Sequence, residues 1–418
     1  MAGRRIVKLP GGRVACCILD VNQPGGRLCD GCQIHFSRCN SLLTPAFAAR
    51  KSAMKITDVR ACQPITPTSP DDWRTSIGQI LVAVDTDSGV TGYGVGGGGF
   101  AGIHVVRTVL RDVLLGKDPT QIESLWQTMF DSTLAFGQKG LVVMAISGVD
   151  LALWDLRGRA DDVSVCKLLG GAKQNSLPTY ITVWDNDEMD QVAATPHQGF
   201  KLHLGGQLPE EDGCTEAFAD RVADQLFRAR SAIGPDRELM ADAWMKWNLT
   251  ETQAVIDRVA GLNLSWLEEP LPVHDESGYA ELVRNSPVPI AGGEHEYTSD
   301  GFRHLAEQRL HTVLQPDVCW CGGLTELIRV YETAAEFGLR VCPHRGAELW
   351  SLPAIAALDS GPADPLAESG RPWMSWVVGQ PLIENGFVEV PDRPGFGVEI
   401  DEASITAYPS PSYDQWRK

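Results

Sequence analysis

The chain has 418 residues, of which 43% are hydrophobic, and its formal net charge is −18. This length allows two domains with a sizeable core. The negative charge argues against nucleic acid or an anionic membrane as a partner, and no apolar run approaches the roughly 20 residues of a membrane-spanning helix. An anionic substrate would therefore need local positive charge, most simply from a bound cation.

The first 53 residues differ in composition from the remainder. They contain eight Lys and Arg residues against two acids, and five of the eleven cysteines. The spacing of Cys29, Cys32, His35 and Cys39 is compatible with a metal site, but a single CxxC pair is a weak signal. We favour an unmatched leader that is disordered or reflects a misassigned start, with the functional chain beginning near Met54. The other six cysteines are scattered, which is typical of buried thiols in a reducing cytoplasm.

Residues 54–175 are predicted to form an α+β domain. Residues 80–84 and 90–94 flank a turn at 85–89, which is the signature of a hairpin. Apolar periodicity then predicts helices, and the one through 141–156 is apolar on most sides and should be buried. Strands followed by helices, without strand–helix–strand alternation, favour a separate domain.

A glycine-rich run covers residues 94–99. Its pattern formally matches a dinucleotide-binding fingerprint, but it follows the second strand of a hairpin and does not open a strand–helix–strand unit. A flexible loop near a substrate is the favoured interpretation. An NAD-dependent dehydrogenase would depend on this run alone.

From residue 176 the pattern alternates between strand and helix. Strands at 177–183 and 199–204 are followed by a helix at 215–232, five strand–helix units and a short strand at 365–368. About eight strands between residues 176 and 382 predict a (β/α)8-type barrel. Residues 383–418 are turn-rich and are expected to return to the first domain.

Five successive apolar runs of this barrel end in a charged residue. The spacings are 26, 26, 23 and 27 residues, and the five residues are Asp242, Glu268, Glu294, Asp317 and His344. The carboxyl ends of parallel barrel strands open onto one face, so these side chains should converge. The first three are hard oxygen ligands, which Mg²⁺ prefers. The alternative is a set of unrelated surface acids paired with basic residues on helices.

His344 and Asp317 are the candidate acid–base pair. An aspartate hydrogen-bonded to an imidazole fixes its tautomer and raises its basicity, as a general base requires. The alternative is a structural histidine behind Pro343. Lys201 and His203, two residues apart on one strand, face the same side and could confront the metal from across the barrel. Either could be a second acid or base, and Lys201 could instead be a solvated lysine at a strand end.

These residues carry a resemblance to a known family. Asp242, Trp266-Leu267-Glu268-Glu269-Pro270, Gly293-Glu294, Gln315-Pro316-Asp317 and Pro343-His344 resemble the enolase superfamily, mandelate racemase subgroup. The stretches at 293–295, 315–325, 365–368 and 394–399 resemble L-rhamnonate dehydratases and related acid-sugar dehydratases. The resemblance extends from Met54 to the C-terminus.

The resemblance implies a modified TIM-type (β/α)7β barrel (176–382) with an α+β capping domain (54–175), in a homo-oligomer. It implies one Mg²⁺ per subunit on Asp242, Glu268 and Glu294, a small acid-sugar substrate and a C2 proton removed by His344. Loss of the C3 hydroxyl then gives a 2-keto-3-deoxy acid. The supporting residues that the resemblance implies are Glu368 as hydrogen-bond donor to the enediolate, His295 in substrate binding, and His203 as acid for the departing hydroxyl.

Two features leave the substrate and the reaction open. Residues 62–77 lack the long histidine-bearing loop of the rhamnonate enzymes. The Lys201-x-His203 pair is more similar to galactonate-type dehydratases, although His344 could protonate the departing hydroxyl instead. The alternative reaction is racemisation or epimerisation by His344 and Lys201 on opposite faces of C2. A third possibility is a catalytically inactive member of the family. Such a protein would be expected to lack one of the three metal ligands or one residue of the His344–Asp317 pair.

Overall fold

The computed structural model describes residues 3–9, 13–19, 54–65, 78–206, 215–346, 348–369 and 376–408. The cysteines and histidine of the candidate leader metal site lie outside these ranges, as does most of the segment 62–77. Within the described ranges, no helix is both long and apolar enough to cross a membrane.

The described residues 3–9 and 13–19 belong to a unit of their own. In it, β1 (Gly3–Leu9) pairs antiparallel with β2 (Arg13–Leu19). The sequence pattern did not predict these two strands.

The second unit begins with an antiparallel sheet of three strands, β3 (Ile56–Cys62), β4 (Ile80–Thr86) and β5 (Thr91–Gly96). The helices that follow are α1 (Gly99–Val105), a π-helical turn (Val106–Leu110), α2 (Arg111–Leu114), α3 (Ile122–Thr133), α4 (Leu141–Asp161) and α5 (Val165–Leu168). Helix α4 packs against β5 and is buried along most of its length, as its apolar sequence predicts.

The glycine-rich run provides this close packing. Gly94 and Gly96 are strand residues, and a Cβ atom on Gly94 would overlap the backbone carbonyl oxygen of Gly148 in α4. A Cβ on Gly96 would likewise overlap the carbonyl oxygen of Met144. The interpretation as a flexible loop is therefore wrong for these two glycines, because they form the contact surface between a strand and a helix.

Eight parallel strands follow, each of the first seven succeeded by a helix in the described part of the chain. The strands are β6 (Ser176–Val183), β7 (Gly199–His203), β8 (Glu238–Asp242), β9 (Trp266–Glu268), β10 (Ile290–Gly292), β11 (Val313–Leu314), β12 (Arg340–Val341) and β13 (Ala367–Ser369). The helices are α6 (Asn186–Val192), α7 (Thr215–Ile233), α8 (Leu249–Val259), α9 (Glu276–Asn285), α10 (Thr298–Gln308), α11 (Gly323–Phe337) and α12 (Leu352–Ala357).

Strands β6 to β12 pair in sequence order, and β13 pairs in parallel with β6. The predicted α/β fold, a (β/α)7β barrel with an α+β capping domain, is confirmed. The remaining strands are β14 (Val377–Val378), β15 (Ile383–Glu384), β16 (Phe387–Glu389) and β17 (Glu399–Ile400). The C-terminal segment contacts the capping domain. Ser164 of the capping domain forms an isolated β-bridge with Gly395, and Arg60 forms an ion pair with Glu402.

The barrel interior is layered, because alternate residues of a strand face the same side. A buried apolar layer contains Tyr180, Met240, Trp266, Ala291, Val313, Cys342 and Leu366. Two residues further along their strands, Tyr180, Met240 and Trp266 are followed by polar side chains: Thr182, Asp242 and Glu268. The fold therefore places a charged layer directly above an apolar one, at the carboxyl end of the barrel.

Replacing Gly94 with Ala should destabilise the protein by about 2 kcal/mol or more, since the added methyl group meets backbone atoms that cannot move aside. Thermal unfolding measures the effect. Gly261→Ala is the matched control, because a Cβ there has open space. Equal melting temperatures for the two variants would contradict the packing role.

Candidate active site

The predicted metal ligands lie at adjacent strand ends. Asp242 ends β8, Glu268 ends β9, and Glu294 follows β10 by two residues. All three side chains are buried. The alternative of three unrelated surface acids is therefore wrong.

Lys201 is buried among these carboxylates. Its Nζ atom lies 3.0 Å from both carboxylate oxygens of Glu268, 3.1 Å from Oε1 of Glu368 and 3.6 Å from Oδ2 of Asp242. Burial opposes its charge, but the surrounding carboxylates outweigh burial and raise the pKa of Lys201 well above its ordinary range. The alternative of a solvated lysine is wrong, since the side chain is 2% exposed.

Lys201 compensates only part of the negative charge of the three predicted metal ligands. Burial raises the pKa of Asp242 to about 7, although Lys201 opposes the shift. Burial likewise raises the pKa of Glu268 to about 7 against the effect of Lys201, and it raises the pKa of Glu294. A divalent cation would relieve both the burial penalty and the mutual repulsion, so the donor set fits Mg²⁺.

A second, overlapping set of possible ligands includes a residue that the sequence did not single out. Among the described residues, the ligand atoms of Glu269, Glu294 and His295 all lie within 4.8 Å of one another. Glu294 belongs to both sets. Glu269 directly follows Glu268 in the Trp266–Pro270 motif, and that adjacency was the available signal.

His344 lies between two carboxylates. Its Nδ1 is 3.0 Å from Oδ2 of Asp317, and its Nε2 is 3.1 Å from Oε2 of Glu294. Burial lowers the pKa of His344, but Glu294 and Asp317 outweigh burial and raise it to about 10. The imidazole is therefore protonated in this state, and it must lose that proton before it can act as a base.

Arg345 is a second partner of Asp317 that the sequence did not predict. Its Nε donates to the same Oδ2 atom at 3.1 Å. Burial raises the pKa of Asp317, but Arg345 and His344 together hold it below its usual value. The expected pair is thus a three-residue cluster in which Asp317 stays ionised. The signal for Arg345 was its position directly after His344.

His295 mirrors His344 on the other side of Glu294. Its Nδ1 is 2.8 Å from Oε2 of Glu269 and 3.4 Å from Oε1 of Glu294. Burial lowers the pKa of His295, but Glu269 and Glu294 raise it to about 9. Glu294 is therefore flanked by two protonated imidazoles, each held by a further carboxylate.

Glu368 lies beside Lys201 and is ionised. It accepts hydrogen bonds from the hydroxyl of Thr182 and, at 2.8 Å, from the backbone N–H of Arg345. Burial raises its pKa, but Lys201 and His344 outweigh burial and lower it to about 2. In this state Glu368 accepts hydrogen bonds, so the implied role as a donor would require it to gain a proton first.

His203 lies at the edge of the cluster and is neutral. Its Nε2 is 3.9 Å from Oδ2 of Asp242, and its ring lies 4.2 Å from that of Trp184 between centroids. Burial, with a contribution from Lys201, lowers the pKa of His203 to about 4. A neutral imidazole is a weak acid, so the charge state favours His344 over His203 as the proton donor to a departing hydroxyl.

Comparison with known proteins matches the chain to two family models. Residues 57–170 match the model "Mandelate racemase / muconate lactonizing enzyme, N-terminal domain", and residues 185–404 match "Enolase C-terminal domain-like". L-rhamnonate dehydratase of Saccharopolyspora erythraea is 35% identical over 336 residues, which cover 78% of this chain and 84% of the relative.

Two solved structures are similar over most of the chain. L-rhamnonate dehydratase from Gibberella zeae has a TM-score of 0.75 and 30% identity, covering 85% of this chain and 96% of its own, and its structure has also been determined complexed with Mg. A racemase from Streptomyces coelicolor A3(2) with bound magnesium has a TM-score of 0.73 and 28% identity, covering 83% of this chain and 97% of its own.

Glu294→Gln should lower the pKa of His344 by roughly 1–2 units in metal-free protein, because the carboxylate 3.1 Å from Nε2 becomes neutral. NMR titration of the imidazole resonances measures it, with His344→Asn assigning the signal. Glu296→Gln is the control, since Glu296 pairs with Lys139 instead. An unshifted His344 titration in Glu294→Gln would contradict the assigned charge coupling.

Proposed function

We propose that the chain, which belongs to the mandelate racemase and muconate lactonizing enzyme group of the enolase superfamily, dehydrates a sugar acid of the aldonate type. The observation that carries this proposal is the pair of His344 and Asp317, 3.0 Å apart and facing buried carboxylates. The L-rhamnonate dehydratases among its relatives support dehydration as the reaction class.

Asp242, Glu268 and Glu294 would hold a single Mg²⁺. When bound, Mg²⁺ would supply positive charge for the substrate carboxylate and for the second negative charge that develops there. The fit rests on the oxygen-only donor set and on the raised pKa of all three carboxyl groups.

His344, in its neutral form, removes the proton from C2 of the substrate. The electron pair of the C2–H bond moves toward the carboxylate and gives an enediolate, and Asp317 stabilises the imidazolium that forms. The pair then returns to form the C2–C3 double bond as the C3–O bond breaks. The proton on His344 leaves with the departing hydroxyl as water, and the enol product tautomerises to a 2-keto-3-deoxy acid.

Lys201 and Glu368 stabilise negative charge on the substrate and the enediolate in this scheme. The Lys201 ammonium stabilises negative charge on the substrate, and Glu368, once protonated, donates a hydrogen bond to the enediolate. His295 lies beside Glu294 and would contact the substrate from that side. Racemisation or epimerisation is the weaker alternative, because Lys201 would have to give its proton to C2 from the opposite face and become neutral, whereas ion pairs with Glu268 and Glu368 favour its charged form.

His344→Asn should abolish exchange of the C2 proton in deuterated water, because no other base would face that proton. Proton NMR of the recovered substrate measures it. The control is His304→Asn, an exposed histidine paired with Glu276 on a helix. Exchange at the unsubstituted rate in His344→Asn would reject this residue as the base.

Removal of the cation with a chelator should abolish keto-acid formation, and added Mg²⁺ should restore it. Calorimetric Mg²⁺ titration then locates the ion without relying on activity. Glu268→Gln should weaken Mg²⁺ binding at least about tenfold more than Glu269→Gln does. Glu268 would contact the ion directly, whereas Glu269 would lie behind the ligands, where a substitution has a smaller effect. The reverse order would place the ion on Glu269, Glu294 and His295 instead.

A further inference from the structure

Two tryptophans are exposed at the carboxyl end of the barrel. Trp184 is 49% exposed and Trp244 is 40% exposed, whereas the other tryptophans in the described ranges are at most 7% exposed. An indole ring left in water is costly, and exposed aromatic side chains often mark a surface that binds something. Both rings lie beside the candidate active site.

Both tryptophan rings lie close to the imidazole ring of His203. Trp184 directly follows β6, His203 ends β7, and Trp244 lies in a turn two residues after β8. The strands that carry them, β6, β7 and β8, are neighbours in the sheet. Ring centroids of Trp184 and His203 are 4.2 Å apart, and those of His203 and Trp244 are 6.3 Å apart.

The position of Trp244 is fixed by its backbone. Trp244 and Met245 both adopt left-handed conformations, with φ of 47° and 63°. The backbone N–H of Trp244 donates to Oδ1 of Asp242 at 2.9 Å, and that of Met245 donates to the carbonyl of Glu269. Strained backbone of this kind is concentrated at functional sites, where surrounding contacts hold it. The indole is thus tied to a predicted metal ligand.

We propose that Trp184, His203 and Trp244 form a subsite for the distal carbons of the substrate and favour an acid whose far end lacks a hydroxyl group. This inference rests on the proposed function, since it assumes that the substrate carboxylate lies at the layer of acids below. A sugar acid held there would extend past His203, whose Nε2 is 3.9 Å from Asp242.

The apolar faces of the two indole rings explain the preference for an acid whose far end lacks a hydroxyl group. Aromatic faces pack well against C–H groups, and two tryptophans offer a broad apolar surface. A hydroxyl pressed against such a face loses water without gaining a hydrogen bond, which disfavours a hydroxymethyl end. A terminal methyl group, as in a 6-deoxyaldonate, has no such cost. Lys246, whose Nζ lies 5.0 Å from the ring centre of Trp244, offers the competing possibility of a distal carboxylate.

The test compares acids that differ only at C6. Binding of L-rhamnonate and L-mannonate, and of D-fuconate and D-galactonate, is measured by calorimetry in Mg²⁺-loaded His344→Asn protein, which cannot turn them over. Within the pair that binds, the 6-deoxy acid should bind roughly tenfold more tightly. Trp184→Ala and Trp244→Ala should reduce this ratio toward one, while Trp184→Phe should retain most of it.

Phe227→Ala is the matched control, because Phe227 is as exposed as Trp184 but lies on helix α7. A ratio unchanged in both tryptophan variants, or no binding of any of the four acids, rejects the subsite. Tighter binding of the dicarboxylate galactarate, lost in Lys246→Ala, also rejects it. Binding with the expected ratio but no keto acid from the unsubstituted protein supports the subsite and rejects the proposed dehydration.

Discussion

The ion pairs of Lys201 are the interaction on which the rest of the site depends. Its buried ammonium lies within 3.6 Å of oxygens from Glu268, Glu368 and Asp242. An uncompensated buried charge costs several kcal/mol, and the Lys201 ammonium favours the ionised form of Asp242 and Glu268 by opposing the rise in their pKa. Lys201 makes a charged layer possible above an apolar one. It compensates only part of the charge, which leaves the layer suited to a further cation.

Proton handling is coupled to the same charges through Glu294. This carboxylate lies between His344 and His295, and each imidazole has a further acid behind it, Asp317 or Glu269. Whether His344 holds or releases its proton therefore depends on what else Glu294 contacts. Arg345 adds to this coupling, because its side chain binds Asp317 while its backbone N–H binds Glu368.

Much of the fold followed from the sequence because strand and helix periods are local. The spacing of charged residues at the ends of apolar runs predicted which side chains converge, and two-residue alternation predicted that Lys201 and His203 share a face. One interpretation failed where packing decides. The glycines at 94 and 96 fit against helix α4, which no local pattern reveals. Strands β1 and β2 were also not predicted.

The charge states could not be predicted from sequence either. Only their positions next to Glu268 and His344 pointed to Glu269 and Arg345, because their contacts depend on distances across strands. Glu368 is ionised because Lys201 is 3.1 Å away, whereas the implied donor role suggests a neutral acid. His203 is neutral because it is buried near an ammonium. Each depends on the summed field of groups far apart in the chain.

The site thus has two layers, with acids and bases below and aromatic rings above. The most direct test of the central claim, C2 proton removal followed by loss of the C3 hydroxyl, is product analysis. Mg²⁺-loaded protein is incubated with a panel of aldonates, and 2-keto acids are trapped with semicarbazide while optical rotation is followed. We predict a 2-keto-3-deoxy acid from at least one aldonate. A change in optical rotation without any trapped keto acid would contradict dehydration and indicate epimerisation.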